Sequence, residues 1–186
     1  MEYEQKVSEL KNIISQLQQA GRYDLLLQAV GVPLLQQLQI EAAREELSPL
    51  RITADHRFIL EKTGQEIELS PIHKALYLLF LQHEEGIEFK RLSEYREELR
   101  TLYQSITNRH SDTINDTIDR LTDPLDNAIN EKCSRIKTAF AAHLDEYALR
   151  YYVISSHTPR RFAQSSRVWF ERKKSIPLPR HLVIKE

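Results

Sequence analysis

The chain has 186 residues, of which 41% are hydrophobic and 28% charged, with a net charge of −1 and a single cysteine. That length and hydrophobic content suit one domain with its own core plus an appendage, and one cysteine excludes an internal disulfide framework. No apolar run reaches the ~20 residues of a membrane-spanning helix, and the polar N-terminus MEYEQKVSELK excludes a signal peptide. We therefore expect a cytoplasmic protein with no membrane partner.

The first predicted unit, residues 1–47, is a helical appendage. An apolar stripe with helical spacing ends near Gly21, and two shorter helical segments follow, the second of which begins at Pro33. Short amphipathic helices are marginally stable on their own, so this segment packs either on its own domain or on a second copy of the chain. We expect the second arrangement, a homodimer. The apolar side chains expected at its contact are Val7, Leu10, Ile14 and Leu17.

Residues 48–186 form the second predicted unit, which begins with a small antiparallel sheet. The segment 50–60 alternates in hydrophobicity and breaks at Asp55–His56, which predicts a hairpin, and a third strand follows at 66–69. A helix that is apolar on nearly every side then runs from Pro71 to His83. We expect this helix to be the buried centre of the fold.

Helices dominate the middle of the second unit. A short strand at 87–89 leads into apolar stripes that predict one helix over 92–106 and another over 112–121. Ser111 and Asp112 are alternative N-caps for the second of these helices, because their side-chain oxygens can accept from the free backbone N–H groups of a helix N-terminus.

The best delimited amphipathic helix is predicted over residues 121–144. Asp123 is a good N-cap residue, and Pro124 suits the first helical position. One face of this helix is an apolar stripe and the other is polar, so the helix can lie on the core while offering hydrogen-bonding groups outward. The apolar stripe consists of Ile129, Cys133, Ile136 and Phe140.

The C-terminal part of the chain is basic and is predicted to contain strands. β-branched and aromatic residues predict a strand at 149–154, a polar loop over 155–166, and weaker strands at 167–170 and 182–184. Residues 132–186 hold 12 Lys and Arg against 4 Asp and Glu, a net charge of +8, whereas the rest of the chain holds 14 against 23, a net charge of −9. This segregation indicates either contact with a polyanion or pairing between the oppositely charged parts.

The order of motifs in the second unit matches that of a known domain. A short sheet leads through IELSP into a buried first helix, a strand at 87–92 enters a second helix, and NAINEKCSRIKTAF is followed by a hairpin-like segment from LRYYVIS to Trp169. This order resembles the winged helix-turn-helix effector domain of two-component response regulators, over residues 50–170. NAINEKCSRIKTAF then resembles the recognition helix and the hairpin the wing, and an extra helix at 112–121 precedes the recognition helix. The resemblance implies a mainly α protein with small antiparallel β elements that binds double-stranded DNA and regulates transcription.

The polar face of the 121–144 helix supplies candidate DNA contacts. Arg and Asn can make bidentate hydrogen bonds to base edges in the major groove, and Lys and Arg meet phosphates. Asp126 and Glu131 lie on the same helix and oppose phosphate contact, so a winged-helix module used only for protein contacts remains the alternative. The candidate base-contacting residues are Asn127, Asn130, Ser134 and Arg135. The candidate phosphate-contacting residues are Lys132, Lys137, Arg160, Arg161, Arg167, Arg172, Lys173 and Lys174.

No motif in the sequence indicates an enzyme. The histidines lack the i, i+4 spacing of a metal site, and four glycines in total leave no glycine-rich phosphate loop. His73 lies in the first turn of an apolar helix and fits a partly buried polar residue, and Cys133 lies on an apolar stripe, where a thiol is inert. We expect no catalytic residue, cofactor, metal or small-molecule ligand.

Overall fold

The structure, a computed structural model, describes residues 2–108, 110–123, 125–157 and 173–186. The chain divides into two compact units, one up to Glu45 and the other Glu46–Glu186. The prediction of a mainly α protein with small antiparallel strands is confirmed. None of the helices in the described ranges is long and apolar enough to cross a membrane.

The first unit consists of three helices. α1 is Glu2–Gln19, α2 is Tyr23–Val30 and α3 is Val32–Glu45. Gly31 ends α2 with a φ of 71°, a conformation that glycine adopts without a steric penalty. α2 contains no buried residue, and apolar side chains on all three helices are exposed. The unit therefore keeps much of its apolar surface in contact with solvent.

The second unit begins with the predicted hairpin and third strand. β1 (Leu50–Ile52), β2 (Phe58–Leu60) and β3 (Gln65–Ile67) pair antiparallel, and His56 turns the hairpin with a φ of 59°. The C-terminal strand β7, Val183–Lys185, pairs parallel with β1, so the sheet order is β3-β2-β1-β7. The first and last parts of this unit are thereby held in one sheet.

The central helix is buried as predicted. α4 is Pro71–Gln82, and its residues from Ala75 to Leu81 are all buried. Proline occupies the first turn of α4, where backbone N–H groups have no partner within the helix, so the N–H that proline lacks costs no hydrogen bond. Because α4 is apolar on nearly every side, the other helices of the second unit and the first sheet can pack around it.

The remaining elements form a helical layer and a second small sheet. A 3-10 helix at Phe89–Tyr95 leads into α5, and the second sheet has the strand order β4-β6-β5 with antiparallel pairing. In chain order the elements are β4 (Ile87–Glu88), α5 (Arg96–Ile106), α6 (Ser111–Thr122), α7 (Ala128–Ala141), α8 (Glu146–Tyr152), β5 (Ser155–His157) and β6 (Lys173–Ser175).

The predicted helix over 121–144 is wrong at its start. Leu121 and Thr122 are the buried end of α6, and Asp123 follows that helix as its C-cap. The Asp123 carboxylate accepts from the backbone N–H of Leu125, and the Asp126 carboxylate accepts from that of Ala128, both at 2.9 Å. These two short side-chain turns compete with helical hydrogen bonding. The helix therefore begins only at Ala128, and the predicted first position, 124, lies outside the described residues.

The predicted strand at 149–154 is also wrong, because most of this segment is α8. Asp145 is the N-cap of α8, and its carboxylate accepts from the backbone N–H groups of Tyr147 at 2.8 Å and Ala148 at 3.0 Å. This cap and the burial of Tyr152 outweigh the strand preference of the aromatic and β-branched residues. The strand β5 begins three residues after α8 ends, so the predicted polar loop over 155–166 is wrong at its start, and the rest of that loop lies outside the described residues.

Two smaller predictions need correction, and one lies outside the described residues. The N-cap of α6 is His110, whose side chain makes no capping bond, and not Ser111 or Asp112. In the predicted strand 182–184, Leu182 closes a 3-10 turn and the strand runs over Val183–Lys185. The predicted strand at 167–170 lies outside the described residues.

Candidate nucleic-acid interface

The predicted apolar stripe fixes which face of α7 points outward. Ile129, Ile136 and Phe140 are buried in the core, as their spacing predicted. Burial also raises the pKa of the Cys133 thiol to about 11, so this thiol stays protonated near neutral pH. With these four side chains directed inward, the polar residues between them are presented on the opposite face.

The outward face of α7 carries the predicted base-contacting residues. Asn130, Ser134 and Arg135 are exposed along the helix, and Asn127 is exposed at its N-cap. The Asn130 amide donates to the Asn127 side-chain oxygen at 2.8 Å, so the two amides form one hydrogen-bonded pair at the start of the helix. Lys137 is also exposed, and Lys132 is half-buried at the edge of the face.

The three cations of α7 have no acidic partner, unlike most of the other arginines in the described part of this unit. Arg57 pairs with Glu66 at 2.6 Å, and Arg91 pairs with Glu94 at 2.7 Å. Within the described ranges, no ion pair or side-chain hydrogen bond is formed by three cations of the helix, which are Lys132, Arg135 and Lys137. Their charge is thus available to an anion from outside the chain.

Lys174 on β6 extends this surface beyond the helix. Its Nζ lies 3.4 Å from the Asn130 side-chain oxygen and 4.0 Å from the centre of the Phe89 ring. A lysine over an aromatic face is held by cation–π attraction. β6 therefore lies beside the N-terminal half of α7, and Lys173 precedes Lys174 on the same strand.

His73 on α4 lies near Lys132 and Arg135 of this surface. Its Nδ1 lies 2.7 Å from the Ser70 hydroxyl oxygen, and its Nε2 is buried without a partner among the described residues. Burial lowers the pKa of His73, and the nearby positive charges of Lys132 and Arg135 lower it further. The histidine is therefore neutral at neutral pH and adds no charge to the surface.

An acidic helix borders the basic surface. α6 carries aspartates with helical spacing, and the turn after it adds two more. The exposed carboxylates of Asp116 and Glu131 line one cavity of about 380 Å³ together with Lys132. These carboxylates oppose a polyanion on the side of α7 that faces α6, where Lys132 lies.

The structure brings together seven of the sequence-predicted DNA contacts. Six lie on α7 or at its N-cap, and Lys174 joins them through its contact with Asn130. Lys173 is half-buried on the same strand. Four further candidates lie outside the described residues, and they are Arg160, Arg161, Arg167 and Arg172. Sequence reasoning missed Phe89 as the support for Lys174, because the two residues are 85 positions apart and no local pattern joins them.

We predict that Gly86→Ala destabilises the protein more than Gly64→Ala does. Both glycines have positive φ, 79° and 66°, so both alanines carry the same backbone cost of about 1–2 kcal/mol. A Cβ at position 86 also lies 2.7 Å from the carbonyl oxygen of Lys174, whereas one at position 64 meets nothing within 4 Å. Displacing β6 adds about 1–3 kcal/mol, the usual cost of overpacking. Urea unfolding of both variants measures the difference, and equal midpoints would contradict the close approach.

No protein-family model, curated protein or solved structure matches this chain.

Proposed function

We propose that the protein is a sequence-specific DNA-binding regulatory protein of the winged-helix type, with α7 lying in the major groove. The observation that carries this proposal is the outward face of α7. It presents amide, hydroxyl and guanidinium groups beside cations that have no acidic partner in the described chain. The first group of side chains suits base edges, and the cations suit phosphates.

The arrangement of the second sheet supports a winged-helix domain. The short strand that enters the second helix of the resembled domain has its counterpart here in β4, which pairs antiparallel with β6. Here β4 follows α4, β5 and β6 follow α7 and α8, and the sheet order is β4-β6-β5. The strand β6 therefore lies beside α7, where Lys174 contacts Asn130 at 3.4 Å. Compared with the resembled domain, α6 and α8 are additional helices.

The side chains of α7 divide into two roles in this proposal. Arg135 makes two hydrogen bonds to a guanine, and the pair Asn127–Asn130 offers amide groups to an adenine. Lys132, Lys137 and the lysines of β6 neutralise phosphates, which sets the position of the helix but carries little sequence information. Arg161, which the sequence predicts to be a further phosphate contact, lies outside the described residues.

The second candidate function is a winged-helix protein-interaction module, and Leu125 favours it. This side chain is 94% exposed in the turn before α7, between the acidic side chains of Asp123 and Asp126. An exposed leucine surrounded by carboxylates suits a partner with basic and apolar side chains and opposes contact with a phosphate backbone. A protein of this class has no preference among DNA duplexes.

Arg135→Ala tests the proposed major-groove contact. We first expect the full-length protein to select one site from a pool of random duplexes. On that site, Arg135→Ala should reduce the discrimination between the selected duplex and one with a single altered base pair by about 1–3 kcal/mol. Arg161→Ala should instead weaken both duplexes about equally, because a phosphate contact is insensitive to sequence.

Arg150→Ala serves as a matched control for this experiment. Arg150 is an exposed arginine on α8 that pairs with Glu146 at 3.6 Å, so its loss removes the same charge away from the outward face of α7. Affinity and discrimination should both stay within about twofold of the unaltered protein, since exposed paired charges contribute little. Identical behaviour of Arg135→Ala and Arg161→Ala would reject α7 as the recognition helix, and failure to select any duplex favours the interaction module.

A further inference from the structure

The exposed apolar side chains of this protein are concentrated in its first unit. Of the large apolar side chains that are exposed in the described ranges, nine belong to residues 3–38 and only two, Leu125 and Ile184, to the second unit. Large exposed apolar patches on soluble proteins commonly mark binding sites. On α1 the exposed members are Tyr3 at 80%, Val7 at 50%, Leu10 at 56% and Ile13 at 53%.

Five of the six large apolar side chains of α1 follow a heptad pattern, and the sixth, Ile13, lies beside them at position g. Tyr3, Val7, Leu10, Ile14 and Leu17 are spaced by four, three, four and three residues, which places them at alternating d and a positions of a coiled coil. A strict heptad stripe is narrower than the stripe of a helix that lies on a globular core, and it suits contact with one other helix. The stripe therefore indicates a helix as the occupant of this face.

The charged residues beside the stripe distinguish between parallel and antiparallel pairing of two α1 helices. In a parallel pair of α1 helices, Lys6 at position g would face Lys11 of the second copy at position e, and two like charges would meet twice. In an antiparallel pair, e positions face e positions, so Glu4 lies beside Lys11 of the second copy and Lys11 beside its Glu4. The charges are thus complementary between two antiparallel copies of α1 and repulsive between parallel ones.

We propose that two copies of this chain associate through an antiparallel, two-fold symmetric pairing of their α1 helices. In the register that joins Glu4 to Lys11, Tyr3 packs against Ile14 of the second copy and Val7 against its Leu10. Symmetry repeats both layers, so four layers bury the most exposed part of the stripe. Leu17 lies beyond the last layer, where it is already half-buried close to the turn into α2.

Cysteine cross-linking distinguishes this arrangement from its alternatives. In the proposed register, residue 3 lies next to residue 14 of the second copy, but the two copies of residue 3 are about 16 Å apart along the helix axis, as are the two copies of residue 14. Tyr3→Cys and Ile14→Cys are prepared separately in the full-length chain, mixed at equal concentration, and oxidised under mild conditions. The unaltered protein is the control, because its half-buried Cys133 has a raised pKa and reacts slowly.

We expect disulfide-linked dimers in the mixture and at most a trace in either variant alone. Cross-linking of Tyr3→Cys or Ile14→Cys by itself would establish a parallel pair and overturn the proposal. Light scattering on the unaltered full-length chain should give a dimer, and a monomer at high micromolar concentration would overturn it as well. Both measurements are made without DNA, so they succeed or fail independently of the proposed function.

Charge reversal tests the register through a pair of variants. Lys11→Glu places two like charges beside each other at both ends of the symmetric contact, and we expect it to raise the dimer dissociation constant about tenfold. The double variant Glu4→Lys/Lys11→Glu restores opposite charges and should return the constant to within about twofold of the original. If the double variant dissociates as easily as Lys11→Glu, these two positions do not face each other and the register is wrong.

Discussion

We expect the affinity of the full-length protein for its selected duplex to fall about 500-fold when salt rises from roughly 50 to 200 mM. This expectation assumes that about five phosphates are neutralised, so that log K falls with log salt at a slope near −4.5. Lys132, Lys137 and Lys174 are described cations at the proposed interface, and none of them has an acidic partner among the described residues. Binding therefore releases the counterions of the DNA without first breaking ion pairs within the protein.

Two double variants with the same change in net charge, one on α7 and one at the first sheet, test whether α7 is the source of this salt dependence. Lys132→Glu/Lys137→Glu removes two phosphate contacts, and we expect the slope to become shallower by about 1.8. Lys62→Glu/Lys185→Glu makes the same change in charge at the first sheet, since Lys62 lies in the turn after β2 and Lys185 on β7. We expect this control to leave the slope of log K against log salt unchanged. A fluorescence anisotropy titration at several salt concentrations measures all three proteins. A flat salt dependence of the unaltered protein would favour the protein-interaction module instead.

The sequence predicted the elements whose signal is local and periodic. The helix α4 is apolar on nearly every side, and the stripe of α7 recurs at helical spacing, so the sequence predicts both helices together with the faces that they bury. The hairpin of β1 and β2 was found because alternation breaks at Asp55–His56, and His56 does adopt a positive φ there. In these segments local preference and tertiary packing favour the same conformation.

The two largest errors of prediction, the start of the 121–144 helix and the strand at 149–154, both involve aspartates whose structural role is ambiguous in the sequence. Aspartate is a common N-cap residue, but Asp123 is the C-cap of α6, because the buried Leu121 and Thr122 already belong to that helix. The carboxylate of Asp123 accepts from the backbone N–H of Leu125 and so forms a turn. Asp145 is the N-cap of α8, but the aromatic residues after it favour a strand, so the sequence pattern predicts a strand at 149–154. Carboxylates accept hydrogen bonds in both turns and caps, so neighbouring packing decides between the two conformations.

The candidate interface was only partly predictable for a different reason. The residues on α7 follow from its periodicity, since a buried stripe determines the opposite face. The position of Lys174 depends on the pairing of β6 with β4 and on the contact with Phe89, which join segments more than 80 residues apart. Pairing partners of short strands are weakly specified by sequence alone, because only two or three residues take part.

The fold positions α7 through a cluster of buried aromatic rings, which predicts a large effect of Tyr152→Ala. The rings of Tyr77 and Phe140 stack at 5.2 Å between centroids, and those of Phe140 and Tyr152 at 5.7 Å. The Tyr152 hydroxyl donates to the carbonyl oxygen of Ser48, and the Tyr77 hydroxyl donates to the carbonyl oxygen of Tyr152 at 2.8 Å. This cluster joins α4, α7, α8 and the segment before β1. Burial raises the pKa of Tyr152 to about 12, so the phenol stays a hydrogen-bond donor at neutral pH.

We expect Tyr152→Ala to lower the free energy of unfolding by about 3–5 kcal/mol, because it leaves a cavity beside Phe140 and an unpaired carbonyl at Ser48. Tyr152→Phe keeps the ring and removes only the hydroxyl, so it should cost about 1–3 kcal/mol. Urea unfolding followed by circular dichroism measures both, with unchanged m-values as the check that the denatured state is the same. The difference in the free energy of unfolding between the two variants measures the contribution of ring packing separately from that of the hydrogen bond. Equal losses would mean that the stacked ring contributes little to holding α7 in place, and that the bond to Ser48 carries the effect.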